Sequence, residues 1–360
     1  MNAASLPKVL IMAGGTGGHV YPALSVADKL LGDNIVVEWL GTRRGIENDL
    51  IPKRNLPLHL VNISGLRGKG LLRWLLMPWQ LVAAVVQAAV LIKRIKPDVV
   101  LGLGGFASGP GGLAAWLMNK PLVIHEQNAV AGTTNRWLNR LSTKSLQAFP
   151  NSLRGANTVG NPVREDIVRI LPPAERFTGE RQKSRLLILG GSLGALKLNQ
   201  LLPESLAIID QAQRPDIWHQ TGNAHYQYTL NLYQRLRLEA RVEPFITAMH
   251  EAYAWADLVV CRAGALTVAE VSAAGVAAIF VPFPFAIDDH QSKNAQVLVE
   301  CSGAIAIAER DLSAQTFADL LTAMLADKQK LLSMANNARK VSVSNAAETV
   351  AKTCMELING

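Results

Sequence analysis

Four short apolar runs, each closed by a glycine-containing turn and followed by a stretch of helical periodicity, constrain this chain more than any other feature. Residues 8–13 (KVLIMA) lead into Gly14-Gly15-Thr16-Gly17-Gly18, and residues 97–103 (PDVVLGL) into Gly104-Gly105. Residues 185–189 (RLLIL) lead into Gly190-Gly191-Ser192, and residues 258–261 (LVVC) into Arg262-Ala263-Gly264-Ala265. A strand with one wet face would carry a polar residue at every second position. These runs do not, so they read as strands buried on both faces, the pattern of a parallel sheet covered by helices. Two such turns in each half of 360 residues predict an α/β chain with two Rossmann-like, doubly wound domains facing a cleft. The first domain is expected over residues 1–162 and the second over 163–345, with the break near Gly160-Asn161-Pro162. Residues 346–360 are expected to form a last helix, with Val350, Cys354 and Leu357 on one stripe, that packs back on the first domain.

Composition narrows the class. Hydrophobic residues make up 49% and charged ones 18%, enough apolar mass for two cores and too much for a disordered chain. Cys261, Cys301 and Cys354 are odd in number and far apart, which suits neither a disulfide framework nor a metal site. No basic segment followed by an apolar run opens the chain, so a signal peptide is not expected and a reduced cytoplasm is. Residues 1–160 carry 17 Lys and Arg against 7 Asp and Glu, whereas the rest is close to neutral. A basic half beside a neutral one suggests that one domain meets a polyanion, either nucleic acid or an anionic membrane. Aromatic residues do not interleave with the basic ones in any nucleic-acid-binding pattern, so no nucleic-acid partner is expected. Apolar residues do accompany the charge at Leu71–Ile92. Pro78 is expected to divide that segment into an exposed strip, Leu71–Trp79, and a largely buried helix, Leu81–Ile92, closed by Lys93, Arg94 and Lys96. Arg73 and the proline argue against a membrane span. Trp74 and Trp79 beside Arg67, Lys69 and Arg73 match the composition of a headgroup boundary.

The polar residues that carry chemistry gather where strands end. Glycines at 14–18 let the backbone approach a ligand, and the helix that follows offers N–H groups to an anion or a sugar oxygen. A dinucleotide site would need a third glycine where Val20 stands and an acid after residues 35–40, where Gly41-Thr42-Arg43-Arg44 follow instead. His19 comes directly after the turn, as a general base for a hydroxyl or as a structural histidine. His125-Glu126-Gln127-Asn128 follows the run 121–124, at the sheet edge where ligands bind in such folds. Thr267-x-x-Glu270 reads as a capping box, which would occupy Glu270 without any substrate. Asp288-Asp289-His290-Gln291 lacks the spacing of a metal site, so neither a metal nor a cofactor is expected.

These residues resemble the MurG family of N-acetylglucosaminyltransferases of bacterial peptidoglycan synthesis. The likeness lies in AGGTGGHVYPAL (13–24), ISGLRGKG (63–70), KPDVVLGLGGFASGPGGLAAW (96–116), HEQNAVAG (125–132), GNPVR (160–164), GGSLGA (190–195) and CRAGALTVAE (261–270). It runs from about residue 8 to about residue 350. The resemblance implies the GT-B architecture, with the lipid acceptor on the first domain and UDP-N-acetylglucosamine (UDP-GlcNAc) on the second. It implies transfer of GlcNAc with inversion to the C4 hydroxyl of the lipid-linked MurNAc-pentapeptide, converting lipid I to lipid II. It implies UDP-GlcNAc contacts at Thr16, Gly17, Gly18, Asn128, Arg164, Ser192, Ile246, Ala265, Leu266, Thr267, Val268, Ala269, Glu270 and Gln291, and His19 as base. It also implies a peripheral enzyme on the cytoplasmic face of the cell membrane, beside other cell-wall synthesis proteins. Three departures stand out: Leu193 where glutamine is common, Phe106 where tyrosine is, and a divergent loop at Pro284–Asp288. Two other readings remain: another UDP-sugar enzyme of this architecture, such as a glycolipid synthase or an epimerase, and a dinucleotide-dependent oxidoreductase.

Overall fold

A computed structural model of the chain describes residues 6–63, 71–177, 182–191, 194–286 and 289–360, with the backbone alone at 71–77. It separates into two compact units, residues 1–164 together with 343–360, and residues 165–342.

The first unit is built on strands β1 (Lys8–Met12), β2 (Val36–Thr42), β3 (Leu58–Val61), β4 (Val99–Gly102), β5 (Leu122–Glu126), β6 (Lys144–Gln147) and β7 (Asn157–Thr158). All pair in parallel, in the order β3-β2-β1-β4-β5-β6-β7. Side chains alternate across a strand, so a run without polar positions must be covered on both sides. Val9 and Ile11 enter one cluster with the helix Gly17–Gly32, whereas Leu10 and Met12 enter another with the helices Leu71–Ile95 and Ser108–Leu117; all four are fully buried. The last helix, Ala346–Asn359, lays Ala347, Val350, Ala351 and Cys354 into the first of these clusters and packs on Gly17–Gly32, with Leu357 partly buried beside it.

The segment expected as two pieces is one helix, Leu71–Ile95, with Pro78 inside it. A proline in a helix costs about 3 kcal/mol. The docking of Ala88, Ile92 and Ile95 on the unit's core is large enough to outweigh that. The stretch 81–92 is also not largely buried. Only its inward face is, and Val82, Val86 and Val90 stand 56%, 56% and 62% exposed on the other.

The second unit carries β8 (Arg185–Leu189), β9 (Asp216–Gln220), β10 (Arg241–Glu243), β11 (Leu258–Cys261), β12 (Ala277–Phe280) and β13 (Ala304–Ala306), also parallel, in the order β10-β9-β8-β11-β12-β13. Its core joins Leu186, Ile188, Leu258 and Val260 to the helices Leu196–Ile208 and Ala314–Ala326. In each sheet the connection reverses direction about the first strand, between β1 and β4 and between β8 and β11. Open α/β sheets bind ligands outside the carboxyl ends of the strands at such a point.

Candidate active-site residues

In the first unit the switch point is lined by two glycine turns packed backbone to backbone. Gly15, Gly104 and Gly105 have φ of 92°, 97° and 83°, where a side chain is strained. A Cβ on Gly105 would stand 2.4 Å from the carbonyl oxygen of Gly14, and one on Gly104 would stand 2.7 Å from His19 Nδ1. Glycine is therefore required both for the turn and for the approach of the second loop to the first. Thr16 is the extended N-cap of the helix Gly17–Gly32, so Gly17 and Gly18 supply its first N–H groups and His19 its first reactive side chain. His19 is half-buried, with Nδ1 3.1 Å from Gln127 Oε1.

β5 runs to Glu126, past the end expected at residue 124, and this changes the reading of the polar cluster. His125, Glu126 and Gln127 are buried, and of the four only Asn128 reaches partial exposure. Glu126 builds the loop: Oε1 accepts from the Asn128 N–H at 2.9 Å, and Oε2 from Gly132 N–H at 3.1 Å and Asn135 Nδ2 at 2.8 Å. Arg164 stacks its guanidinium 5.2 Å from the ring of Tyr21, on the helix that starts at Gly17.

In the second unit, Gly191 and Gly194 have φ of 74° and 81°, and a Cβ on Gly194 would stand 2.6 Å from the Thr221 carbonyl oxygen at the end of β9. Ser192 and Leu193, between them, lie outside the described residues, as do Ile287 and Asp288. The helix Ala265–Ala274 starts where β11 ends, with Gly264 as its extended N-cap. Thr267 and Glu270 lie inside this helix, so the capping box expected from their spacing does not form. Its first turn, Ala265, Leu266 and Thr267, presents helix-start N–H groups at the sheet's switch point. Val268 is buried and Ala269 half-buried one turn on. Glu270 is 6% exposed and accepts a hydrogen bond from the Tyr253 hydroxyl at 3.1 Å. Ile246 is buried, and its N–H donates to Gln220 Oε1 at 3.1 Å. Gln291, in the first turn of His290–Glu300, accepts at Oε1 from the Phe283 N–H.

Several residues that build these sites are unmarked in the sequence. Glu47 is fully buried: its Oε2 accepts from the Gly15 N–H at 2.9 Å, and its Oε1 accepts from the Thr42 N–H at 3.1 Å. It thus pins the glycine turn from below. At the start of a helix an acid reads as a dipole-favoured surface residue, so only its burial reveals the role. Likewise His219, Asn199 and Tyr233 form a buried polar chain beneath the second unit's glycine turn, with Asn199 Nδ2 donating to the Thr221 carbonyl. Burial holds the His219 imidazole down to about 3, so it is neutral there.

Comparison with known proteins agrees with this geometry. Residues 9–147 match the glycosyltransferase family 28 N-terminal domain and residues 185–350 the glycosyltransferase family 28 C-terminal domain. A protein of Cellvibrio japonicus named UDP-N-acetylglucosamine--N-acetylmuramyl-(pentapeptide) pyrophosphoryl-undecaprenol N-acetylglucosamine transferase is 52% identical, over 98% of this chain and 99% of its own. The crystal structure of Acinetobacter baumannii MurG superposes with a TM-score of 0.84 at 39% identity, over 97% of this chain and 99% of the other. CalG4, the calicheamicin glycosyltransferase, shares the fold at 13% identity, with a TM-score of 0.68 over 99% of both chains. Near-complete coverage at about half identity, on two parallel sheets with glycine turns at their switch points, places this chain in glycosyltransferase family 28 and, within it, in the MurG family.

Proposed function

We propose that this chain transfers GlcNAc from UDP-GlcNAc to undecaprenyl-pyrophosphoryl-MurNAc-pentapeptide, converting lipid I to lipid II in peptidoglycan synthesis. The observation that carries the reading is the family identity over the whole chain, together with helix starts at the switch point of each sheet. The first unit takes the acceptor and the second the donor. The acceptor's C4 hydroxyl, losing its proton to His19, attacks the anomeric carbon from the face opposite UDP, so the C–O bond to UDP breaks as the new one forms and the configuration inverts. Charge on the departing pyrophosphate is met by N–H dipoles of the Ala265–Ala274 helix start, with Ser192 as a further donor. Thr16, Gly17, Gly18, Asn128 and Arg164 complete the contacts to the donor sugar and phosphates, and Gln291 reads the sugar hydroxyls. At Ile246 the N–H is already engaged by Gln220, which leaves its carbonyl for the uracil. Incubation with UDP-GlcNAc and a lipid I analogue is expected to release UDP at a rate that needs both substrates. Release that is indifferent to the acceptor would overturn the transfer reading.

Glu270 offers a sharper check on the donor site. With no capping box to serve, its buried carboxylate accepts from the Tyr253 hydroxyl close to the start of the helix at the sheet's switch point, which supports its reading as a ribose contact. Glu270→Gln keeps an acceptor for Tyr253 and loses the doubly accepting carboxylate. Donor KM should then rise well beyond any change in melting temperature. A lower melting temperature with an unaltered donor KM would leave Glu270 as a tether for Tyr253 alone.

The strip expected at Leu71–Trp79 lies outside the described side chains up to Met77, as do Arg67, Lys69 and Arg73. What is described is the continuation of that strip: Trp79, Val82, Val86 and Val90 stand on the outward face of Leu71–Ile95, with Lys93, Arg94 and Lys96 exposed at its end. The window Pro78–Ile95 is apolar enough to span a bilayer by composition, and the packing of its inward face on the core supports a helix that lies along the surface instead. These features support a peripheral place on the cytoplasmic face of the inner membrane, with apolar insertion of roughly 25 cal/mol per Å² and about 1 kcal/mol per basic side chain on an anionic leaflet. Replacing Val82, Val86 and Val90 by serine should weaken binding to anionic liposomes several-fold while sparing turnover of a short soluble acceptor. Undiminished liposome binding would remove this face from the membrane contact.

A further inference from the structure

An imidazole can take a proton from a hydroxyl only at the nitrogen that lacks one, and the hydrogen bond made by the other nitrogen decides which that is. Around His19 this choice can be followed back to two backbone carbonyls, groups that only accept. The carbonyl oxygen of Gly160 lies 2.9 Å from His125 Nε2, so that nitrogen carries hydrogen. His125 is fully buried, and the burial holds its imidazole down to about 4, so at neutral pH its Nδ1 keeps a lone pair. One end of the Gln127 amide then meets two acceptors, the His125 carbonyl oxygen at 3.2 Å and His125 Nδ1 at 3.3 Å, and must be the NH₂ end. The other end is the oxygen, 3.1 Å from His19 Nδ1. Asn161 Nδ2 donates to the Gln127 backbone carbonyl at 3.0 Å, and Gln127 itself is 1% exposed, so a turned-over amide would set its oxygen against two acceptors in a buried place.

We propose that Gln127 is a positioning residue for the transfer reaction: its amide oxygen keeps the hydrogen of His19 on Nδ1 and so makes Nε2 the nitrogen that receives the acceptor's proton. His125 and the carbonyls of residues 125 and 160 set the direction of that amide. Gly160 has φ of 78° and no room for a Cβ beside Val343, which is the backbone conformation that aims its carbonyl at His125. Gly104, packed on the His19 ring at Nδ1 and Cε1, keeps the ring from swinging away. In the transfer step the hydroxyl proton goes to Nε2, leaving an imidazolium whose Nδ1–H still donates to Gln127. The proposal rests on His19 being the base, and it adds how a neutral amide, in place of a carboxylate, selects the reactive nitrogen.

The direct test is the tautomer of His19, read from nitrogen chemical shifts of ¹⁵N-histidine-labelled full-length protein, with His19 assigned by its loss in His19→Ala. The expected result is hydrogen on Nδ1 in the wild type and a mixture of tautomers, or hydrogen on Nε2, in Gln127→Met. Hydrogen on Nε2 in the wild type overturns the proposal whatever the mutants do. In turnover, Gln127→Met should lower kcat by about 10–100-fold, part of what a positioned base supplies, with donor KM unchanged. In a His19→Ala background the same substitution should cost almost nothing more, because the two residues act as one unit. A full additional loss there would make Gln127 a packing residue and overturn the proposal. If His19→Ala alone keeps its activity, the base reading fails separately, while the nitrogen shifts still report whether Gln127 sets the tautomer.

Discussion

His19→Ala is expected to lower kcat by about 10²–10⁴-fold, the range for loss of general acid–base assistance, with the donor KM near its wild-type value. The side chain lies at the start of the Gly17–Gly32 helix and is half-buried against Gly104, so truncation removes little packing. His19→Gln restores bulk and hydrogen bonding to Gln127 without a basic nitrogen, and it should lose nearly as much. Activity of either mutant close to wild type across neutral pH would return the residue to a structural role.

The second large effect is expected at Glu47. Glu47→Ala strands the buried N–H of Thr42 and the partly buried N–H of Gly15, and opens a cavity against Gly14, Gly41 and Gly45. Each unsatisfied donor costs about 1–3 kcal/mol, so a loss of roughly 3–5 kcal/mol is expected. At about 2–4 °C per kcal/mol for a unit of this size, its melting transition should fall by roughly 10 °C. Glu47→Gln keeps an acceptor oxygen for at least one of the two donors and should fall about half as far. Melting within about 2 °C of the wild type for the alanine variant would mean that the glycine turn is held by something else.

The two effects differ in how far they could be foreseen. His19 was visible because it follows a turn whose glycines announce positive φ and close approach, and Gly15, Gly104, Gly105, Gly191 and Gly194 all have that conformation. Glu47 was not, because an acid in the first turn of a short helix has the same local pattern whether it faces water or hangs beneath a neighbouring loop. The spacing of Thr267 and Glu270 misled for a related reason. Ser/Thr-x-x-Glu marks a helix start only if the first residue is extended, and here Gly264 takes that place at the end of β11. Pro78 misled as well, since its local penalty is a few kcal/mol and the docked face of Leu71–Ile95 is worth more.

What the sequence determined by itself is the architecture and the family: apolar runs without polar positions, bounded by glycine turns, read as strands covered on both faces, and the glycines at their ends mark positive φ or close approach of backbone. These are local properties, written in consecutive residues. What the tertiary structure decided is the chemistry of individual groups. The amide direction of Gln127, the neutral state of His125, the carbonyl of Gly160 and the carboxylate of Glu47 depend on residues 2 to 35 positions apart meeting in buried or partly buried contacts. There an unmatched donor or acceptor is costly, and that cost, absent from any stretch of sequence read alone, fixes which atom holds each proton.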